Sequence, residues 1–127
     1  MEQRAIEKEI CDKAKEWIDE YGEEFLVELI GDFVDDSTVR VARLRQAAED
    51  GDAEALTLEA HTLKSSSASL GAQSLSVLAK RLEDMGRTGN LAPLTDEVVL
   101  FVEQYGVVKM TLEKLRSAPN AFITEER

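Results

Sequence analysis

Apolar residues recur along this chain at intervals of three and four, the repeat that lines one side of an α-helix. No stretch keeps up the two-residue alternation of a strand. A first helix, over residues 2–20, gathers Ile6, Ile10, Ala14, Trp17 and Tyr21 into one stripe, and Gly22 interrupts it. A second, over 23–34, carries Phe25, Leu26, Leu29, Ile30 and Phe33. Asp35, Asp36 and Ser37 offer oxygens suited to capping a third helix that reaches Glu49, with Val34, Val41, Leu44 and Ala48 as its inward stripe. Gly51-Asp52 reads as a tight break, and Asp52 as the cap of a fourth helix running to Leu70. Gly71 can end that helix in a left-handed conformation. A fifth helix over 73–85 turns Leu75, Leu78, Leu82 and Met85 inward. Residues 86–90 then form a loop whose Asn90 caps the last helix. In that last helix Val98, Phe101, Tyr105, Val108, Leu112 and Leu115 alternate the two helical spacings, and Gly106 costs it about 1 kcal/mol of propensity. After Ser117 the periodicity stops, so residues 118–127 are expected to be a flexible tail.

The fold implied is all-α: one domain over residues 1–117, built as an up-down-up-down four-helix bundle with additional N-terminal helices packed against it. Composition agrees, since only Pro93 and Pro119 could break a helix and both fall late in the chain. A length of 127 residues suffices to bury one working core.

Charge narrows the function. With 26 acidic residues against 15 basic, the net charge is −11, which repels nucleic acid and anionic membrane surfaces alike. No apolar run is long enough to span a bilayer. The N-terminus lacks the apolar core of a secretory signal, and the single Cys11 cannot form an internal disulfide. A cytoplasmic setting is expected. Cys11 itself reads as a small packing residue.

One residue stands out chemically. On the fourth helix Leu56, Ala60, Leu63, Ser67 and Leu70 share an arc, and the chain's only histidine, His61, points roughly 130° away from its middle. Thr57, Lys64, Ser65 and Ala68 share His61's outward face, and all but Lys64 are small. A thinly covered face around one imidazole suits docking by another protein. Imidazole as a side-chain type keeps a neutral fraction near neutral pH, so a ring nitrogen can act as a nucleophile. Phosphoryl transfer asks little more of an acceptor than positioning and charge compensation. Lys64, one turn along the same face, can neutralise phosphoryl oxygens, and Ser65 is small enough to leave room for the group. There is no glycine-rich phosphate loop and no paired His/Cys set for a metal. The expected role is a phosphotransfer intermediate with no ATP-dependent kinase activity of its own.

The run Ala60-His61-Thr62-Leu63-Lys64-Ser65-Ser66-Ser67-Ala68-Ser69-Leu70-Gly71-Ala72 resembles the motif of histidine-containing phosphotransfer (HPt) proteins. The likeness continues through Leu75, Leu78, Arg81, Leu82 and Glu83 to Gly86-Arg87, and more loosely upstream through Phe25-Leu26, Leu29-Ile30, Phe33 and Gly51 to Leu56. The resemblance implies a four-helix bundle with the phosphorylated histidine exposed midway along its second helix. It makes His61 the phosphoacceptor, at Nε2, and Lys64 its electrostatic partner. It also places Glu83 opposite the ring, where a carboxylate can accept from Nδ1–H, and Arg87 where it can screen the phosphoryl group. Thr57 and Ala68 belong to the docking face. Ser65 departs from the family, which commonly has glycine there.

The partners implied are response-regulator receiver domains and a hybrid or sensor histidine kinase, with Mg²⁺ supplied by the receiver rather than bound here. Three alternatives stay open. One is a helical adaptor that binds receivers without taking phosphate. Another is a phosphoacceptor domain excised from a hybrid or chemotaxis-type kinase, against which the initiating Met1 and aperiodic tail favour a free-standing protein. The third is a purely structural bundle.

Overall fold

A computed structural model describes residues 3–92 and 94–125. Six helices and no strand occur among them: α1 (Gln3–Tyr21), α2 (Glu23–Asp50), α3 (Ala53–Ser69), α4 (Gln73–Thr88), α5 (Leu94–Ser117) and α6 (Pro119–Glu125). Neighbouring pairs α2–α3, α3–α4, α4–α5 and α5–α2 close a ring around one core that includes Ile30, Leu44, Leu63, Leu82, Phe101 and Leu112. Arg40 meets Glu59, Thr57 lies under Gly86, Ser76 meets Lys64, and Arg81 meets Glu97. These pairings make successive helices antiparallel, so α2–α5 form an up-down-up-down bundle. The inward stripes expected for α3, α4 and α5 are buried, with Met85 and Val98 half-buried at their edges.

The second and third predicted helices are one. Residues 33–38 contain neither glycine nor proline, and their cap-like side chains find other partners. Ser37 is buried, its hydroxyl 2.8 Å from the Tyr105 hydroxyl on α5. Thr38 donates back to the Val34 carbonyl at 2.7 Å, and Asp36 accepts from Arg40 one turn on. The Ser37 and Thr38 hydroxyls and the Asp36 carboxylate are thus engaged along or across a helix rather than capping a break. A single N-terminal helix therefore packs against the bundle, not two. Its expected first residue, Glu2, lies outside the described residues.

Asp52 caps α3 as expected, accepting from the Ala55 N–H at 3.1 Å. At the other end of α3 the chain turns through Gly71, whose φ of 83° falls in the left-handed region. A second constraint acts there, because a Cβ would sit 2.6 Å from Lys13 Cβ and 2.7 Å from the Glu9 carbonyl oxygen. That close approach lets α1 lie on the α3–α4 turn. Trp17 Nε1 donates to the Ser69 carbonyl at 2.9 Å, and the Ser74 hydroxyl reaches the Glu9 carboxylate.

Two further expectations change. The predicted loop 86–90 is helical through Thr88, so Gly86 and Arg87 belong to α4. Asn90 does not cap the next helix, which begins at Leu94. The supposed flexible tail forms α6, with Pro119 and Ile123 buried, and its Asn120 side chain donates to Glu23 at 2.6 Å. Proline suits a first helical position, where its missing N–H would have had no partner. Residues 126 and 127 of the expected tail lie outside the described residues.

Candidate functional site

The middle of α3 builds the site. Leu56, Ala60, Leu63 and Ser67 point into the core, which fixes the rotation of the helix and leaves the His61 side chain 56% exposed. Facing it across the α3–α4 seam is Glu83, 0% exposed. Its Oε2 lies 2.6 Å from His61 Nδ1 and accepts from the Arg87 guanidinium at 2.8 Å, while Oε1 accepts from Lys64 Nζ at 2.7 Å. The Lys64 ammonium, helped by His61 and Arg87, holds the Glu83 carboxyl below its ordinary range even though burial pushes the other way. An ionised carboxylate only accepts, so Nδ1 is the donor in this contact and Nε2 is the ring nitrogen left over.

Gly86 permits this geometry. A Cβ at Gly86 would collide with the Thr57 hydroxyl and the Ala53 carbonyl, so only glycine lets the end of α4 lie this close to α3. The Thr57 hydroxyl itself donates to the Ala53 carbonyl at 2.7 Å, which keeps its methyl and the helix surface compact under α4. Ser76 ties the other end of the seam, donating to the Lys64 carbonyl at 2.8 Å. With both ends anchored, the three donors converge on one buried acid.

Beside the imidazole lies a shallow depression of about 410 Å³, lined by Glu54, Thr57, Leu58, His61 and Arg87. Leu58 is 62% exposed and was not singled out by the sequence reading. Its signal was available: an apolar residue three before His61 that belongs to the outward face, not the inward stripe. Ala68 is half-buried and Ser65 exposed, each within two turns beyond His61 and outside the depression.

Glu83 lies opposite the ring, as the resemblance implied, buried and with its carboxylate within hydrogen-bond distance of Nδ1. Arg87 sits on the last turn of α4, where it pairs with Glu83 rather than approaching His61 from a loop. Among the described residues no group of three or more His, Cys, Asp or Glu side chains is placed to hold a metal ion. No helix there is long and apolar enough to cross a membrane.

Comparison with known proteins agrees with this architecture. The chain is similar in structure to the histidine-containing phosphotransfer protein B of Pseudomonas aeruginosa PAO1, with a TM-score of 0.77 and 28% sequence identity, over 84% of this chain and 91% of that one. No curated protein matches it by sequence. The family model described as Hpt domain matches residues 28–118, which holds most of α2 and all of α3, α4 and α5. The chain belongs to the Hpt domain family, and so to the histidine phosphotransfer proteins of phosphorelays.

Proposed function

We propose that His61 accepts a phosphoryl group at Nε2 from the phosphoaspartate of a receiver domain and passes it to the aspartate of another. One observation carries this reading: the Nδ1 side of the His61 ring is engaged by the buried Glu83 carboxylate, which leaves Nε2 as the ring nitrogen able to react on a side chain that is itself exposed. In the forward step the P–O bond of the acyl phosphate breaks as the Nε2–P bond forms, and the receiver's aspartate leaves as a carboxylate. The Nδ1 proton stays against Glu83, which offsets the charge that develops on the ring. The reverse of this step, on a second receiver, restores the neutral imidazole.

Lys64 and Arg87 stand at the rim, where their cationic groups can swing from Glu83 toward phosphoryl oxygens as these arrive. Leu58, Thr57 and Ala68 give the docking receiver an apolar footing, and Ser65 adds no bulk there. The receiver's acidic pocket brings the Mg²⁺, and the phosphoryl group originates at a hybrid or sensor histidine kinase. The setting for this exchange is the cytoplasm, which suits the single, buried Cys11.

The deciding experiment mixes the protein with a receiver carrying labelled phosphoaspartate. A label on His61 that survives alkali and is lost in acid is the expected result. Stable association with the phospho-receiver but no label would replace this reading with the adaptor.

A further inference from the structure

On the far side of the ring from His61, the outer surface of α5 carries a second apolar stripe that none of the described residues covers. Val99 is 52% exposed and Met110 53%, while Val102 is half-buried and Gly106 exposed between them. The positions 99, 102, 106 and 110 follow the helical repeat, so they form one track about 16 Å long. Where this track meets the end of α2 it opens into a groove of about 380 Å³, floored by Ala48, Leu94, Val98, Val99 and Val102.

Gly106 is the informative residue. It lies inside a 24-residue helix, where glycine weakens the structure relative to alanine. A Cβ added there would meet nothing within 4 Å, so no internal packing demands glycine. An absent side chain at the centre of an exposed apolar track does, however, let the backbone of another helix approach closely.

Charge indicates what kind of helix. Glu49, Asp50, Asp96 and Glu103 are exposed on the two segments that frame the groove, against Arg43 and Arg45 on α2. Lys109, at the far end, turns its ammonium toward the Thr38 hydroxyl. A second copy of this chain would bring another −11 to the contact, whereas a cationic helix is drawn to it.

We propose that the α2–α5 groove seats a basic amphipathic helix of a partner protein, its apolar side on Val99, Val102 and Met110 and its backbone against Gly106. The face lies opposite the α3–α4 seam, so this partner holds the protein while His61 stays open to receivers. The site is independent of the phosphotransfer reading and can fail or stand without it.

The test uses the full chain and two synthetic peptides of about 18 residues, both with leucines at helical spacing, one otherwise lysine and the other otherwise glutamate. Nuclear magnetic resonance titration with the lysine peptide should shift resonances of residues 42–49 and 95–110 and leave those around His61 still. The glutamate peptide should produce no shifts. Gly106→Leu should raise the melting temperature yet weaken lysine-peptide binding about tenfold or more, and Val99→Lys should weaken it as well. Phosphoryl uptake by His61 should be the same with the lysine peptide bound. Any of four results overturns the proposal: no shifts in the groove, shifts scattered over the acidic surface and indifferent to Gly106→Leu, equal binding of both peptides, or self-association of the free protein through this face.

Discussion

Among the described residues two glutamates are buried, and comparing them separates a strut from a site. Glu59 on α3 meets a single cation, Arg40 on α2, whose guanidinium donates to it at 3.0 Å and to Asp36 at 2.7 Å. Asp36 foremost, with Glu59 behind it, raises the Arg40 pKa, so the arginine is shared between two acids and held between two helices. Glu83 on α4 meets three donors, from Lys64, His61 and Arg87, and each of them reaches water. Both acids satisfy the same requirement, that a buried carboxylate be paired. The difference lies in the partners: around Glu59 they close on one another, whereas around Glu83 one of them is an imidazole with a nitrogen to spare. A buried charge becomes part of a site when what compensates it is reactive and exposed.

The sharpest way to break that comparison is His61→Gln. Phosphoryl uptake should vanish, because the atom that forms the bond is gone. Stability should stay within about 0.5 kcal/mol, as for other exposed positions, since Lys64 and Arg87 still pair with Glu83. Transfer assays beside thermal melts read both. A melting temperature many degrees lower would mean that the imidazole is itself a strut. Arg40→Ala should do the converse, lowering stability and leaving uptake unchanged.

Glu83→Ala and Glu59→Ala come next. Each should cost about 1–3 kcal/mol by stranding hydrogen-bond donors, and less than the loss of a fully buried pair because the remaining cations can reach water. Only the Glu83 variant should also slow transfer, by about tenfold or more, the scale seen when carboxylates that orient imidazoles at metal sites are removed. Glu83→Gln, which keeps an acceptor, should recover part of that rate. Equal transfer in both alanine variants would erase the distinction between the two acids.

Acid should sharpen the same contrast. The folded Glu83 carboxyl is held below its ordinary 4.5 by Lys64 first, then by His61 and Arg87. Below 4.5 the unfolded chain takes up a proton there before the folded one does, so stability falls as pH falls through that window. The gap in unfolding free energy between wild type and Glu83→Gln should narrow as pH falls below 4.5. Denaturant unfolding at several pH values measures it, and a gap that widens in acid would contradict the assignment.

How much of this could be read in advance depends on distance along the chain. The inward stripe of α3 and the outward placement of His61 follow from helical spacing alone, which is local. The burial of Glu83 does not: it adjoins Leu82 at the edge of the α4 stripe, and its partners Lys64 and His61 stand on another helix. A buried and a solvated glutamate are the same letter until the facing helix is in place. The break expected at Asp35–Ser37 failed for the same reason, since Ser37 finds its partner at Tyr105, 68 residues away. The tail was misread because α6 is short and gains its order by burying Ile123 against the rest of the core.

A smaller effect should follow Lys64→Ala. The ammonium is half-buried on Glu83 Oε1, and Arg87 remains to serve both the acid and an incoming phosphoryl group. A contact between the Lys64 ammonium and a phosphoryl group at the solvent-facing rim is worth about 0.2–1 kcal/mol, so transfer should slow by no more than about fivefold. Loss of all transfer would show that Lys64 contributes more than charge. In that event the Glu83 cluster would have two indispensable members rather than one.

Ser65→Gly should change least. The serine replaces the glycine common in the family, and the question is whether it crowds the imidazole. The His61 ring leans toward α4, where Glu83 holds it, and the adjoining depression is lined by residues one and two turns before it together with Arg87. Ser65 is exposed one turn beyond His61, outside that lining. A phosphoryl group arriving at Nε2 over the depression therefore has its room on the side away from Ser65. Transfer should stay within about twofold of wild type, the change in barrier being under about 0.4 kcal/mol. Stability should drop by about 0.5 kcal/mol, because glycine is the weaker helix former, which corresponds to a fall in Tm of about 2 °C. An inert wild type beside a glycine variant that takes the label would show that the hydroxymethyl group blocks the approach. His61 would then be held as carefully as the geometry shows and yet be closed to phosphate, and the Glu83 cluster would be a strut like that of Glu59.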